Sequence, residues 1–296
     1  YNQRTVFGGT TYQPDTFWLS QTGDYYQMWD DPSTPSVSDP QQFTLASQRL
    51  NQIRWMVGGK KLTIGTSSSE WIGVVQEEGA NLLVQFNEET THGSSVAQAR
   101  KVGSSIPFIQ RSGRNVRELN FNFQEDNYVA TDLSLFGSHV GTEYDETENF
   151  SNVSLVDSAW QESPFGVYWV IDSAGRLYGL TRDNQQQIAA WHSHLMGGRI
   201  SAAALGFSGA DLPAQVKSVC VVPSPNGKSD RLWMVVEREI NGSLVYHVEY
   251  IDEIKNNLTI SPNAGASDIR AFLDCSSAQV GASSLSWGGY TSFINE

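Results

Sequence analysis

Turn residues divide this chain into short segments that have the length and composition of β-strands. Aromatic and β-branched residues fill the segments, and Gly, Asn, Asp, Ser and Pro separate them, a pattern typical of antiparallel sheets. Three hairpins are predicted, with turns at residues 112–113, 172–175 and 241–242. The last turn is Asn-Gly, the strongest short hairpin signal, because both residues tolerate positive φ. The sequence therefore predicts an all-β fold with little helix.

Two segments complete this local prediction. IRWMVGG, KLTIGT and EWIGVV, which lie between residues 53 and 75, predict three successive strands. In residues 127–141 the sequence NYVATDLSLFGSHVG predicts one short helix, with Thr131 or Asp132 as its N-cap.

Cys220 and Cys275 are too few for a disulfide framework, so both are expected to be buried free thiols.

Two of the hairpins belong to longer units that resemble each other. Each unit contains a strand, a turn, a strand with a central aromatic residue, a glycine turn and two further strands. Three earlier units share this order at unequal spacings. The central aromatic residues of the five units are Trp18, Trp55, Phe108, Trp169 and Trp233. Repeats of about 40–60 residues with four strands each are typical of propeller blades, so we expect an irregular β-propeller-like fold with roughly four to six blades or partial blades.

The sequence shows no convincing domain boundary before its last part. We therefore assign residues 1–255 to the propeller-like blades of a larger subunit. Residues 256–296 are rich in Ser, Ala and Gly. They are predicted to form a C-terminal strand or linker segment that crosses to another element.

The charge of the chain restricts its partners. Its net charge is −13, with 19 Lys and Arg against 32 Asp and Glu. Proteins that hold DNA or RNA tightly need basic surface to displace counterions from phosphates, so tight binding is not expected. Arg111, Arg114 and Arg117 form the most basic cluster, which we assign to protein contacts. No apolar run reaches the roughly 18–20 residues that a membrane span requires.

The motif WHSH at residues 191–194 is a candidate metal site. If it lies on a strand, His192 and His194 share one face because side chains alternate. A zinc site needs a third ligand, which the sequence does not provide nearby. We therefore interpret WHSH as the polar end of a blade strand, with metal binding as the alternative.

Acidic doublets give no better catalytic candidate. The neighbours Glu88 and Glu89 are an example, because adjacent residues on a strand point to opposite faces. Glycoside hydrolysis needs two carboxylates about 5–10 Å apart across a cleft. No catalytic, cofactor-binding or metal-binding residue and no cofactor is therefore predicted, and the chain is not expected to be an enzyme.

Taken together, six segments resemble the tail tubular protein B family, the tail nozzle of short-tailed bacteriophages. Their order and spacing are similar to the family over about residues 4–255. The segments are IRWMV (53–57), IGTSSSEW (64–71), HGSSVAQARKVGSSIPFIQRSGRNVREL (92–119), NYVATDLSLFGSHV (127–140), YWVIDSAGRLYGLTRDNQQQIAAWHSH (168–194) and LWMVVEREINGSLVYHVEYID (232–252).

The resemblance implies a virion structural protein whose six copies form a homohexameric ring. The ring would continue the DNA-ejection channel, and double-stranded DNA would pass its lumen without tight binding. Further implied partners are the tail adaptor protein and the tail fibres or spikes. The implied location is the virion tail, assembled in the host bacterial cytoplasm. The family implies no catalytic residue.

Two other functions remain open from the residues. The first is a glycan-binding or glycan-hydrolysing β-propeller that acts on host-surface polysaccharide, since exposed aromatic side chains suit stacking on sugars. The second is a secreted propeller that serves as a binding module.

Overall fold

The computed structural model describes residues 1–251 except 30–35, 47–48, 50, 79–80, 138, 145–149, 184–185, 187, 207–210 and 226. These residues form twenty β-strands and one four-residue 3-10 helix at Ala202–Leu205, which confirms the predicted all-β class. Within this part of the chain, no helix has the length and apolar character needed to cross a membrane. The predicted segment 256–296 lies outside the described residues.

The strands form six antiparallel sheets in chain order. The first sheet contains β1 (Val6–Gly8), β2 (Thr16–Leu19) and β3 (Gln41–Thr44). The second contains β4 (Ile53–Gly58), β5 (Leu62–Thr66), β6 (Glu70–Glu78) and β7 (Asn81–Thr90). The third contains β8 (Ile106–Ile109), β9 (Val116–Asn122) and β10 (Asn127–Asp132).

The remaining sheets follow the same meander. The fourth is small, with β11 (Thr142–Tyr144) and β12 (Phe150–Asn152). The fifth contains β13 (Leu155–Gln161), β14 (Val167–Asp172), β15 (Leu177–Asp183) and β16 (Ile188–His194). The sixth contains β17 (Met196–Ile200), β18 (Leu212–Pro223), β19 (Asp230–Ile240) and β20 (Ser243–Ile251). The three predicted hairpins lie between β8 and β9, between β14 and β15, and between β19 and β20.

Clusters of buried side chains lie between successive large sheets. Phe17 of the first sheet packs in one cluster with residues of the second. Trp55 joins the second sheet to the third, and Tyr168 joins the third to the fifth. Trp169, the next residue on β14, lies in the cluster between the fifth and sixth sheets. This serial packing of meander sheets is propeller-like, and six full or partial sheets agree with the predicted four to six blades.

Backbone hydrogen bonds fix how one sheet meets the next. The carbonyl of Gly113, in the β8–β9 turn, accepts from the Leu155 N–H at 2.7 Å. The carbonyl of Gly175, in the β14–β15 turn, accepts from the Val216 N–H at 2.8 Å. Each bond joins the hairpin turn of one large sheet to a long strand of the next large sheet. The strands β13 and β18 therefore have the same relation to the preceding turn, although β13 is the first strand of its sheet and β18 is the second.

The predicted helix in residues 127–141 is wrong. Residues 127–132 form strand β10, which pairs along its length with β9. Asp132 caps the turn that follows the strand and not a helix, because its carboxylate accepts a hydrogen bond from the backbone N–H of Ser134 at 2.9 Å. The strand forms because Ala130 is buried in the cluster between the second and third sheets. Tertiary packing here outweighs the local capping signal.

The expected burial of the cysteines needs a similar correction. Cys220 is a free thiol as predicted, but it is exposed. It lies opposite Trp233 on β19, whereas its buried neighbour Val219 points into the core shared with the fifth sheet. The alternation along β18 thus turns Cys220 outward. Cys275 lies outside the described residues.

The turn glycine Gly175 provides a test of the contact between the fifth and sixth sheets. A Cβ atom there would lie 2.4 Å from the Gln215 Cβ, at a φ of +82°. Gly242→Ala is the matched control, because Gly242 has a φ of +76° and nothing within 4 Å of the added atom. We expect a loss of about 1 kcal/mol for Gly242→Ala from backbone strain alone. For Gly175→Ala we expect about 2–4 kcal/mol in urea unfolding, because overpacking is added. Equal losses would contradict this account.

Candidate functional site

WHSH lies on β16, the outer strand of the fifth sheet, as the sequence predicted. The register places His192 opposite Gly179 and His194 opposite Leu177 of β15. Both imidazoles therefore lie on the face that also carries Trp169 of β14, and they border the core shared with the sixth sheet. The period of two along a strand brings the two rings together.

The two imidazoles are in direct contact. His192 Nδ1 and His194 Nε2 lie 2.7 Å apart, and His192 Nε2 lies 3.2 Å from the Thr181 hydroxyl oxygen. The indole of Trp169 packs beside both rings, with centroid distances of 5.7 and 5.2 Å. The His192 ring fits because Gly179 has no side chain, and a Cβ atom there would lie 2.1 Å from His192 Cε1.

The hydrogen bond between the rings requires one proton between the two nitrogens. Burial lowers the pKa of His192, and burial followed by the nearby His192 lowers the pKa of His194. Protonation of both rings would place a hydrogen on each facing nitrogen, which breaks this hydrogen bond, and would bring two positive charges into contact. The arrangement therefore favours a neutral pair at neutral pH.

The contact between the rings bears on the alternative of metal binding. The two nitrogens that face each other are occupied by their mutual hydrogen bond, so they do not present two lone pairs to one ion. Elsewhere in the residues that the structure describes, no group of three or more His, Cys, Asp or Glu side chains is arranged to hold a metal. The histidines are held by each other and by Thr181 and Trp169.

A small cleft lies next to His194. It is also lined by Arg176, Gly175 and Gln215, and its volume is about 70 Å³. One water occupies about 30 Å³ of liquid volume, so the cleft has room for about two waters. Pockets for drug-sized ligands are about 300–1,000 Å³. The cleft can accept a small polar group but does not enclose a sugar ring.

Two buried carboxylates lie away from this cleft, and one of them, Glu118, lines a separate cavity of about 10 Å³. Glu70 accepts hydrogen bonds from the Thr90 hydroxyl at 2.5 Å and the Ser94 hydroxyl at 2.9 Å, and burial raises its pKa. Glu118 forms an ion pair with Arg182 at 2.7 Å. Both acids tie neighbouring segments together inside the protein. Their geometry is structural and gives no catalytic pair.

The three arginines of the basic cluster differ in their surroundings. Arg117 donates to the Gln110 side-chain oxygen and to the Ala130 carbonyl, both at 2.9 Å, which places it at a contact within the chain. Arg111 and Arg114 are exposed. Their assignment to contacts with other proteins stays a prediction.

A second candidate is a loop that we call the aromatic loop, residues 21–29. It exposes several rings, and Tyr26 and Trp29 are 94% and 69% exposed. Its backbone is nevertheless fixed, because the Asp24 carboxylate accepts from the Tyr26 N–H at 3.0 Å. Gln27 adds a bond from its side-chain nitrogen to the Trp29 carbonyl at 2.8 Å. The rings are thus presented to solvent from an ordered turn.

Exposed rings on an ordered loop can bind ligands from solution. Aromatic faces pack against apolar C–H surface, and the Tyr hydroxyl and Trp N–H add polar contacts at the ring edges. The sequence predicts exposed aromatic side chains that suit sugars but does not locate them on a particular loop. The dense run DYYQMW between turn residues was the available signal.

No family model and no curated protein matches this sequence. Among solved structures, a candidate 6-phosphogluconolactonase from Bacteroides uniformis is similar at 12% identity and a TM-score of 0.45, over 85% of this chain and 68% of that one. A luciferin-regenerating enzyme is similar at 12% identity and 0.32, over 86% and 89%. A tail fibre of Staphylococcus aureus phage P68 is similar at 9% identity and 0.22, over 83% and 46%. These scores carry no substrate or residue role onto this chain.

One expectation from the sequence is corrected by these comparisons. The sequence motifs predict that the chain is not an enzyme. That prediction is contradicted at the level of the comparisons, because the first two structures belong to proteins named as enzymes.

The neutral histidine pair predicts how stability depends on pH. Because burial lowers both pKa values below the ordinary 6.5, the unfolded chain binds these protons first as the pH falls. The pair's contribution is complete above about pH 6.5 and is lost as the pH falls below it. We expect the drop in urea midpoint from about pH 7.5 to about pH 5.5 to shrink in a His192→Gln/His194→Gln variant. The exposed His139→Gln should keep the full drop, and an unchanged drop in the double variant would refute the assignment.

Proposed function

We propose that this chain is a β-propeller-like protein that binds glycans, and that the aromatic loop is its carbohydrate contact. The observation that supports this is the exposure of Tyr26 and Trp29 on a hydrogen-bonded turn. Large apolar side chains that are exposed together on one surface mark contact sites. Sugar rings present apolar C–H faces that match aromatic rings in size.

The kind of glycan follows from shape and charge. Two cavities among the described residues have volumes of about 10 and 70 Å³, which are too small to enclose a sugar. The aromatic loop is open, so it fits a polysaccharide that lies along the surface. The net charge of −13 repels anionic polymers. We therefore propose neutral host-surface polysaccharide as the ligand class.

The ordered turn also affects affinity. A loop that is fixed before binding loses less conformational entropy when the ligand arrives. Asp24 and Gln27 supply the hydrogen bonds that fix it. Tyr26 and Trp29 therefore act as a preformed platform.

The proposal predicts a loss of binding in a Tyr26→Ala/Trp29→Ala variant. Affinity electrophoresis through gels that contain neutral bacterial polysaccharides measures the dissociation constant. We expect the double variant to bind at least about tenfold more weakly, equivalent to about 1.4 kcal/mol. Phe136→Ala is the matched control because Phe136 is also an exposed ring but lies outside the loop. Release of reducing ends, measured on the same polysaccharides, reports whether cleavage accompanies binding.

Two results would count against this function. One is the absence of retardation by any neutral polysaccharide. The other is an equal loss for Phe136→Ala, because it would show that binding depends on exposed rings in general.

A second candidate is the tail nozzle subunit that the sequence segments resemble. The observation in its favour is again the aromatic loop, since exposed rings on an ordered turn also suit a contact between subunits. In this proposal the loop meets a neighbouring copy in a six-membered ring of a virion tail. The tail adaptor protein and the fibres or spikes are its further partners.

The nozzle proposal predicts a hexamer and weak binding to DNA. Native mass spectrometry should find six copies, and Tyr26→Ala/Trp29→Ala should shift the population to monomers. Duplex DNA should not bind with submicromolar affinity at about 150 mM salt, because the chain is acidic. A monomer at micromolar concentration, or tight binding to DNA, would argue against a nozzle.

A further inference from the structure

The outer face of the sixth sheet is the side turned away from the core shared with the fifth sheet. The register places Cys220, Trp233 and Tyr250 in one row across β18, β19 and β20. The Trp233 and Tyr250 rings lie 4.8 Å apart. Along β20, Val248 and Tyr246 are 70% and 62% exposed. Large apolar side chains exposed together on one sheet mark a contact surface.

The fifth sheet shows what a covered sheet looks like in this protein. All six residues of β14, Val167–Asp172, are buried. Tyr168 and Val170 pack towards the third sheet, while Trp169 and Ile171 pack towards the sixth. The fifth sheet thus has neighbours on both faces. Within the described residues, the core clusters give the sixth sheet a neighbour on one face alone.

Within the described residues, the strand β20 pairs on one side only, with β19, so its other edge is free. By its relation to the preceding hairpin turn β18 matches β13, so β19 and β20 match β14 and β15, while the fourth strand of the sixth sheet, β17, lies on the other side of β18. In the part of the chain that the structure describes, no strand beside β20 corresponds to β16. An unpaired strand edge exposes backbone N–H and C=O groups that can bind another segment.

We propose that residues 252–296 of this chain cover the outer face of the sixth sheet and the free edge of β20. They follow directly after Ile251, the last residue of β20, so they begin beside the surface. They outnumber residues 155–194, which form the whole of the fifth sheet, so they are long enough. They also carry apolar and aromatic side chains: Leu258, Ile260, Phe272, Leu273, Trp287, Tyr290 and Phe293.

The reactivity of Cys220 tests this cover, because this thiol lies on the outer face. The comparison uses a Cys275→Ser chain and a control chain that carries Leu195→Cys, Cys220→Ser and Cys275→Ser. Leu195 is exposed and lies between β16 and β17. In the intact chain we expect Cys220 to react with dithionitrobenzoate at least about tenfold more slowly than the control thiol. Truncation after Ile251 should raise the Cys220 rate to that of the control.

Equal rates for the two thiols in the intact chain would overturn the proposal. Protection that persists in the truncated chain, and is lost when that chain is diluted to monomers, would overturn it too, because a second copy would then be the cover.

Hydrogen exchange on the intact, diluted chain gives a readout that does not depend on how the truncated form folds. Alternate amides of β20 face β19 and the free edge. If residues 252–296 cover the edge, both sets should exchange slowly. Fast exchange of the edge-facing set alone would overturn the proposal.

Discussion

The packing of one apolar sheet face against the next is the constraint on which the rest of this structure depends. The strand β14 shows it most clearly, because all of its residues are buried and its alternate side chains belong to two different clusters. Such a strand cannot be stable in an isolated sheet, since one of its faces would always meet water. The histidine pair depends on the same packing, because both of its rings contact Trp169, which belongs to the cluster between the fifth and sixth sheets.

Local chemistry made the hairpins predictable. Asn241 and Gly242 both have positive φ, as an Asn-Gly hairpin turn requires, and the turns near Gly113 and Gly175 form as expected. The error at residues 127–141 has a physical reason. Asp132 does cap a turn, but pairing with β9 and burial of Ala130 are contacts that no local pattern contains.

The candidate sites were predictable to different degrees. The period of a strand was enough to place His192 and His194 on one face. Their contact depends on Gly179 of the neighbouring strand, whose pairing with His192 is set by the register of β15 and β16. The aromatic loop was harder to predict, because aromatic residue types occur both in cores and on surfaces. Its rings lie outside the core cluster of the first sheet, on the turn that Asp24 caps.

The bonds from the turn carbonyls of Gly113 and Gly175 to the following sheet have a consequence for how the chain acquires its structure. The first bond joins the third sheet to the fifth and the second joins the fifth to the sixth, so a completed large sheet offers hydrogen-bond partners to a segment that follows it in the chain. Such a molecule has mainly near-neighbour coupling and behaves as a one-dimensional array. An all-β chain built in this way avoids most of the distant strand pairing that slows the folding of sandwiches and barrels. Its large sheets can therefore form one after another during synthesis, each as soon as the sheet against which it packs has formed.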